Sequence, residues 1–266
     1  MKIFLSCDIE GVSGLVDFDD GGLNGKRYPD FAKIMSEEVA AVCALFPSET
    51  ELFVKDAHMH AKNIPLSAMP DNATLMSGWS GHPYNMVQGL DESFDAMLLV
   101  GYHDQAGSDG SPAAHSFTGE VYSLKINGEY MSEFDIALMT ASMLGVPTIF
   151  VMGDERITQK AGSLVPGIVT IPTKYGVGAA IASRTSSYNI QLVNQSKDQI
   201  EQILAGDKTD FIIELPKKFE IEIEYSRQHL AYHNSFFPGC ELSGPRTIRF
   251  ETDDFYEALR LFHFVI

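Results

Sequence analysis

The reading of this chain turns on its first stretch, Lys2-Ile3-Phe4-Leu5-Ser6-Cys7-Asp8-Ile9-Glu10-Gly11. The apolar run Ile3-Phe4-Leu5 predicts a buried strand that leads into two acids and a glycine. Side chains alternate along a strand, so Asp8 and Glu10 project to the same side. In an open α/β sheet, ligands bind beyond the carboxyl ends of the strands. Two carboxylates there repel unless a cation lies between them, and a divalent metal ion meets that need. Taken alone, the stretch reads more simply as a turn in which Asp8 caps the next segment and Glu10 is solvated. The rest of the chain shifts that balance.

Working outward, Pro29 and Asp30 open a helix whose apolar residues Phe31, Ile34, Met35, Val39, Val42 and Leu45 recur at helical spacing until Pro47. A second strand over 51–54 ends in Lys55-Asp56-Ala57-His58, so the start of the chain reads as a right-handed strand–helix–strand unit. A short strand is expected at 74–76 and a helical turn around Met86 and Leu90. A third apolar run, 96–100, ends in Gly101-Tyr102-His103. After a glycine- and serine-rich loop come Ala114-His115-Ser116, then two segments flanking Asn127-Gly128, a strong hairpin signal. Ser132 starts a helix that Gly145 ends, and a fourth apolar strand covers 148–152. Beyond 155 the pattern predicts helices at 154–161, 176–183, 189–204 and 253–264, with alternating strands at 219–225 and 246–252. The expectation is an α/β fold: a mostly parallel central sheet flanked by helices, with a less regular C-terminal α/β portion. Residues 1–266 read as a single domain, with 155 or 216 the nearest approach to an inner boundary.

Composition narrows the function. The 266 residues carry 19 Lys and Arg against 36 Asp and Glu, a net charge of −17. Such a surface repels phosphate backbones and anionic lipid heads, which disfavours nucleic acid and membrane as partners. Three scattered cysteines, Cys7, Cys43 and Cys240, form neither a disulfide framework nor a thiolate zinc knuckle, and they suit a reducing, cytoplasmic setting. No export signal, spanning segment, nucleophile elbow, dinucleotide fingerprint or phosphate loop is read.

The chemistry is concentrated at the strand ends. The first strand ends in Asp8 and Glu10, the second in Asp56 and His58, a later one in His103. The helix after the hairpin carries Glu133 in its first turn. Parallel strands bring such ends to one edge of the sheet. Carboxylates and imidazoles converging from separate strands are what zinc or manganese takes. Five ligands, Asp8, Glu10, His58, His103 and Glu133, exceed one open tetrahedral site and suit two metals ~3.5–4 Å apart, with Asp8 as bridge. His60 competes with His58, which is preferred for its place at the strand end; Asp56 is expected to orient the His58 ring. His115, beyond a loop, suits proton transfer or stabilisation of a tetrahedral oxyanion, with a further ligand as the other reading. His82, His229, His233 and His263 lack a strand-end context and read as structural.

Ser6-x-Asp8-x-Glu10-Gly11, Asp56-Ala57-His58, Met86-Val87-x-Gly89-Leu90-Asp91, Gly101-Tyr102-His103, His115-Ser116 and Gly128 through Glu133 occur in one order and spacing. In these pieces the chain resembles the DppA-type zinc-dependent D-aminopeptidase family, most densely over residues 1–154. The resemblance implies two zinc ions per subunit on the residues matching Asp8, Glu10, His58, His103 and Glu133, and a catalytic residue at His115. It also implies short peptides with an N-terminal D-residue, such as D-Ala-D-Ala, as substrates. A homo-oligomer, a ring of ten subunits with sites facing an inner cavity, is implied as well. Cys7 departs from the aliphatic residue usual between Ser6 and Asp8. The rival readings are another two-metal hydrolase, acting on L-peptides or phosphate esters, and a non-catalytic metal-binding ring protein.

Overall fold

The computed structural model describes residues 1–266. Its first half runs β1 (Lys2–Cys7), α1 (Phe18–Gly21), α2 (Tyr28–Cys43), β2 (Glu51–Asp56), β3 (Ala73–Met76), β4 (Ala96–Tyr102), β5 (Val121–Ile126), β6 (Glu129–Tyr130) and α3 (Glu133–Met143). The second runs β7 (Thr148–Gly153), α4 (Glu155–Leu164), β8 (Val169–Pro172), β9 (Lys174–Val177), β10 (Ala180–Ser183), α5 (Ser186–Gln195), α6 (Lys197–Ala205), β11 (Phe219–Tyr225), α7 (Gln228–Asn234), β12 (Glu241–Gly244), β13 (Thr247–Thr252) and α8 (Phe255–Val265).

Six strands form a parallel sheet in the order β3-β2-β1-β4-β7-β8. The chain lays β1, β2 and β3 outward in one direction, then returns to place β4, β7 and β8 on the other side of β1. The strand order therefore reverses between β1 and β4, the point where open α/β sheets hold their ligands. Every residue of β4 and β7 is buried, as expected of strands covered on both faces.

The ends of β1 and β4 are drawn unusually close. A Cβ on Gly11 would lie 1.9 Å from the Tyr102 carbonyl, and one on Gly101, at φ +75°, would lie 2.0 Å from the Asp8 carbonyl. Only glycine fits either place. The Asp8 and Gly11 amides then donate to Val100 and Gly101 carbonyls, which locks the acid-bearing segment onto β4.

Five further strands form an antiparallel sheet, β12-β13-β11-β5-β6. The helix α3 lies between the two sheets. Its Phe134, Ala137, Leu138 and Ala141 belong to the core under the parallel sheet, and Ile136 and Met139 to the core under the antiparallel one. Apolar contact on both sides explains why this helix shows no clear hydrophilic stripe. Its start is fixed by a capping box between Ser132 and Asp135.

Two expectations for the later chain are corrected. Residues 174–183 form the hairpin β9–β10 instead of a helix, because Gly178, at φ +60°, makes the turn. The single helix expected over 189–204 is two, α5 and α6, joined at Ser196, whose hydroxyl donates to the Val193 carbonyl. The strand β8 is an addition.

Candidate active site

The six side chains singled out in the sequence meet beyond the carboxyl ends of β1, β2 and β4. All are buried: Asp8, Glu10, His58, His103, Glu133 and, at the margin, His115. Asp8 stands at the centre. Its Oδ1 lies 3.3 Å from Nδ1 of His58, and its Oδ2 lies 3.4 Å from Nε2 of His103. Glu10 Oε2 is 2.9 Å from the same His58 nitrogen. On the other side, Glu133 Oε2 is 3.3 Å from Nε2 of His103, and its Oε1 is 3.5 Å from Nε2 of His115. One carboxylate therefore faces two half-sites, Glu10 with His58 and Glu133 with His103.

Each imidazole is oriented by a backbone carbonyl. His58 uses Nε2 on Gly21 at 3.0 Å, His103 uses Nδ1 on Asp104 at 2.9 Å, and His115 uses Nδ1 on Ala113 at 3.0 Å. A carbonyl only accepts, so each of these nitrogens carries the proton. The remaining nitrogen of each neutral ring then presents a lone pair to carboxylate oxygens. Lone pairs facing lone pairs in a buried place are stable only around a positive charge. Asp8 Oδ2, Glu10 Oε2 and His103 Nε2 are buried and have no hydrogen-bond partner. The ligand atoms of Asp8, Glu10 and His103 lie within 4.8 Å of one another, as do those of His103, His115 and Glu133. The residues fit a metal centre of mixed oxygen and nitrogen donors, with each histidine held by an outer carbonyl as metal-binding histidines are.

Protonation shows the same demand for positive charge. Burial pushes the His58 ring toward the neutral form, but Glu10 and Asp8 outweigh it and hold the ring at about 11. Glu133 and Asp8 likewise raise His103 well above the usual imidazole range against its burial. Asp8 and Glu133 are held below the usual carboxylate range by these rings, again against burial. Protons occupy the places that a cation would take.

His115 differs from the other two. Its ring stacks on His103 at 4.3 Å with an 8° tilt, and Phe18 packs edge-on against it at 5.0 Å. Its Nε2 meets a single carboxylate oxygen. The backbone that follows it is strained: Phe117 adopts φ 64°, rare for a bulky residue, and this aims its amide at Glu133 Oε1, 2.6 Å away.

Asp56 does not orient the His58 ring. Its carboxylate accepts from the Asn63 amide and side chain and from the Ile64 amide, so it folds the 58–64 loop back onto β2. The His58 ring swings away from it to Gly21. His60 is exposed and takes no part in the cluster. Cys7 is fully buried, and burial pushes its thiol well above the usual range, so it stays protonated.

Further residues shape the site beyond those the sequence points to. The buried Lys174 donates to the Glu10 and Leu15 carbonyls, bracing both ends of the acid-bearing loop, while Thr173 Oγ1 donates to the Gly11 carbonyl at 2.6 Å. The apolar run Ile168 to Ile171, ending at Pro172, was the signal that a further strand end lay there. His263, on α8, lines the cavity above the cluster with Phe262, a cavity of about 250 Å³. A histidine in a terminal helix carries no such signal.

Comparison with known proteins agrees with this geometry. The peptidase M55 family model, described as D-aminopeptidase, matches residues 1–264. A D-aminopeptidase of Bacillus subtilis (strain 168) is 29% identical over 270 residues, spanning 97% of this chain and 94% of that protein. A solved structure, the Zn-dependent D-aminopeptidase DppA from Bacillus subtilis, described as a self-compartmentalizing protease, superposes with a TM-score of 0.90. It shares 28% identity, over 100% of this chain and 96% of that one. A metal-ready cluster at the switch point of the sheet, with a family match across nearly the whole chain, makes this protein a metal-dependent aminopeptidase that belongs to the D-aminopeptidase family.

Proposed function

We propose that the protein is a two-zinc aminopeptidase that removes the N-terminal residue from short peptides beginning with a D-residue, such as D-Ala-D-Ala. The observation that carries the reading is the set of histidine nitrogens turned, by carbonyl bonds behind them, toward buried carboxylates. Asp8, Glu10, His58, His103 and Glu133 would hold the ions, with Asp8 shared because its two oxygens face different half-sites. Zinc bound there supplies Lewis acidity, lowering the pKa of water and polarising a carbonyl.

The protein's own groups supply the rest. The N-terminal residue of a peptide, with its amine neutral, would lie at the cavity floor beside the residues that hold the ions. His115 keeps its proton on Nδ1 through Ala113, so Nε2 can receive a proton and later return it to the leaving amine. Packing by His103 and Phe18 holds that ring in place. The Phe117 amide fixes Glu133, which in turn faces both rings.

A phosphate-ester hydrolase on the same cluster is disfavoured by its cations. The nearby ammoniums, Lys55 and Lys174, both donate to backbone carbonyls, leaving no free cation for a phosphate. The similarity to a self-compartmentalizing protease supports a homo-oligomer, which native mass measurement tests, with ten subunits the expected number. Three unpaired cysteines support a cytoplasmic setting, tested by cell fractionation.

The test is hydrolysis of D-Ala-D-Ala and L-Ala-L-Ala before and after exhaustive chelation, then with zinc restored. Loss and recovery of activity, with two zinc ions per chain and preference for the D-peptide, is expected. Activity that survives chelation overturns the reading. His115→Ala should cut turnover ~10²- to 10⁴-fold with zinc content unchanged; lost zinc would make His115 a ligand.

A further inference from the structure

Trp79 is the only tryptophan in the chain. It lies on the irregular segment after β3 and lines the cavity above Asp8, Glu10 and His58. It is 40% exposed while the acids and imidazoles are buried, so it stands at the mouth of the cavity and they form its floor.

An exposed indole ordinarily samples several rotamers. This one is held. Its Nε1–H donates to the Met59 carbonyl at 2.6 Å, and the Lys55 ammonium sits 4.0 Å from its ring centroid. Lys55 is itself wholly buried and donates to the Asp56 and Gly78 carbonyls at 2.6 and 2.7 Å. One ammonium thus ties the end of β2, the backbone just before Trp79 and the ring. Burying an ammonium is costly until its contacts offset it. A group so costly, used to fix an exposed ring, argues that the position of the ring matters. The backbone beside the ring is strained as well: Met59 at φ 48° and Asn85 at φ 47° both line the same cavity. Met86, Phe117 and Phe262 add apolar surface to a wall that also carries Thr118 and His263.

We propose that Trp79, positioned by Lys55, is a specificity-determining residue: its ring is a platform for the apolar side chain of the residue on the leaving side of the scissile bond. This rests on the aminopeptidase reading. The N-terminal residue of the peptide lies at the floor beside the residues that hold the ions, so the residue after the scissile bond points toward the mouth, where Trp79 stands. Short peptides with an apolar second residue are the class it favours. Lys55, held by two carbonyls, takes one face of the ring, so the platform is the opposite face.

The experiment compares D-Ala-Gly with D-Ala-D-Leu on the zinc-loaded full-length protein. The wild type should favour D-Ala-D-Leu by ~10-fold or more in kcat/KM. In Trp79→Ala that ratio should fall to near one, through KM; Trp79→Phe should keep most of it. Lys55→Met should lower the ratio part-way and shift the tryptophan emission to the red. In His115→Ala protein, D-Ala-D-Leu should change the emission of this single tryptophan saturably, and D-Ala-Gly should change it less. A Trp79→Ala variant that hydrolyses both peptides with the wild-type ratio overturns the proposal. If the wild type hydrolyses neither peptide, the aminopeptidase reading is what fails. The emission titration then still judges Trp79, and peptide binding without any emission change overturns its role.

Discussion

The parallel and antiparallel sheets share one helix and do different work. The parallel sheet presents chemistry: Asp8, Glu10, His58 and His103 all follow its strands, three of which are adjacent. The antiparallel sheet presents enclosure. The helix packed on it, α8, sends Phe262 and His263 over the cavity, and its hairpin β5–β6 delivers α3 and with it Glu133. The difference follows from strand geometry. Parallel strands all end at one edge, so their terminal loops converge on a point. Antiparallel strands end alternately at both edges, so that sheet offers a face and a wall but no convergence. A site of this kind needs one of each, and α3 is where the two meet.

This division is open to test. The largest effect is expected in the parallel half. His103→Ala removes a ring that faces both Asp8 and Glu133, so zinc stoichiometry should drop and hydrolysis should fall to background. Retained zinc with full activity would break the assignment of ligands to this sheet. The counterpart in the antiparallel half is Phe262→Ala. Its buried ring belongs to the smaller core, and its loss should cost ~3–5 kcal/mol of stability. Zinc content measured below the lowered melting temperature should stay at the wild-type value. Zinc lost in the still-folded variant would show that this half is part of the metal centre and not only its cover.

The smallest effect sharpens the account of the parallel half. Glu38 on α2 is fully buried, accepts from the Ser13 hydroxyl, and is pushed by burial from the ordinary carboxyl value up to about 7. In the unfolded chain it ionises near 4.5, in the folded one near 7. Between those values unfolding releases a proton, so the wild type loses stability as pH rises through that window and levels off above it. Glu38→Gln has no such loss. Its stability relative to wild type should climb by on the order of 2–3 kcal/mol between pH 4.5 and 8, read as a diverging melting temperature. Parallel pH profiles would place the proton elsewhere.

The strand ends were legible because parallel α/β chains write them plainly. An apolar run that stops at Asp8, His58 or His103 names both the strand and the residue at its rim. Glu133 was legible from its place after a capping serine. Asp56 was misread because adjacency along the chain does not fix direction: its carboxylate turned to the amides of Asn63 and Ile64, and the His58 ring turned to a carbonyl 37 residues away. The hairpin at 174–183 was misread because small residues and glycine carry little periodicity in either sense.

The sequence by itself determined five of the six parallel strands, the six residues that gather beyond them and the positive charge they require, since hydrophobic period and residue chemistry are local properties. Tertiary structure alone decided which nitrogen of each histidine faces inward and that Lys174 braces the Glu10 loop from a distant strand. It alone placed Phe262 and His263 above the cavity and fixed Trp79 over a buried lysine. Those are matters of direction and of long-range contact, and a backbone direction is set only when the rest of the chain has packed against it.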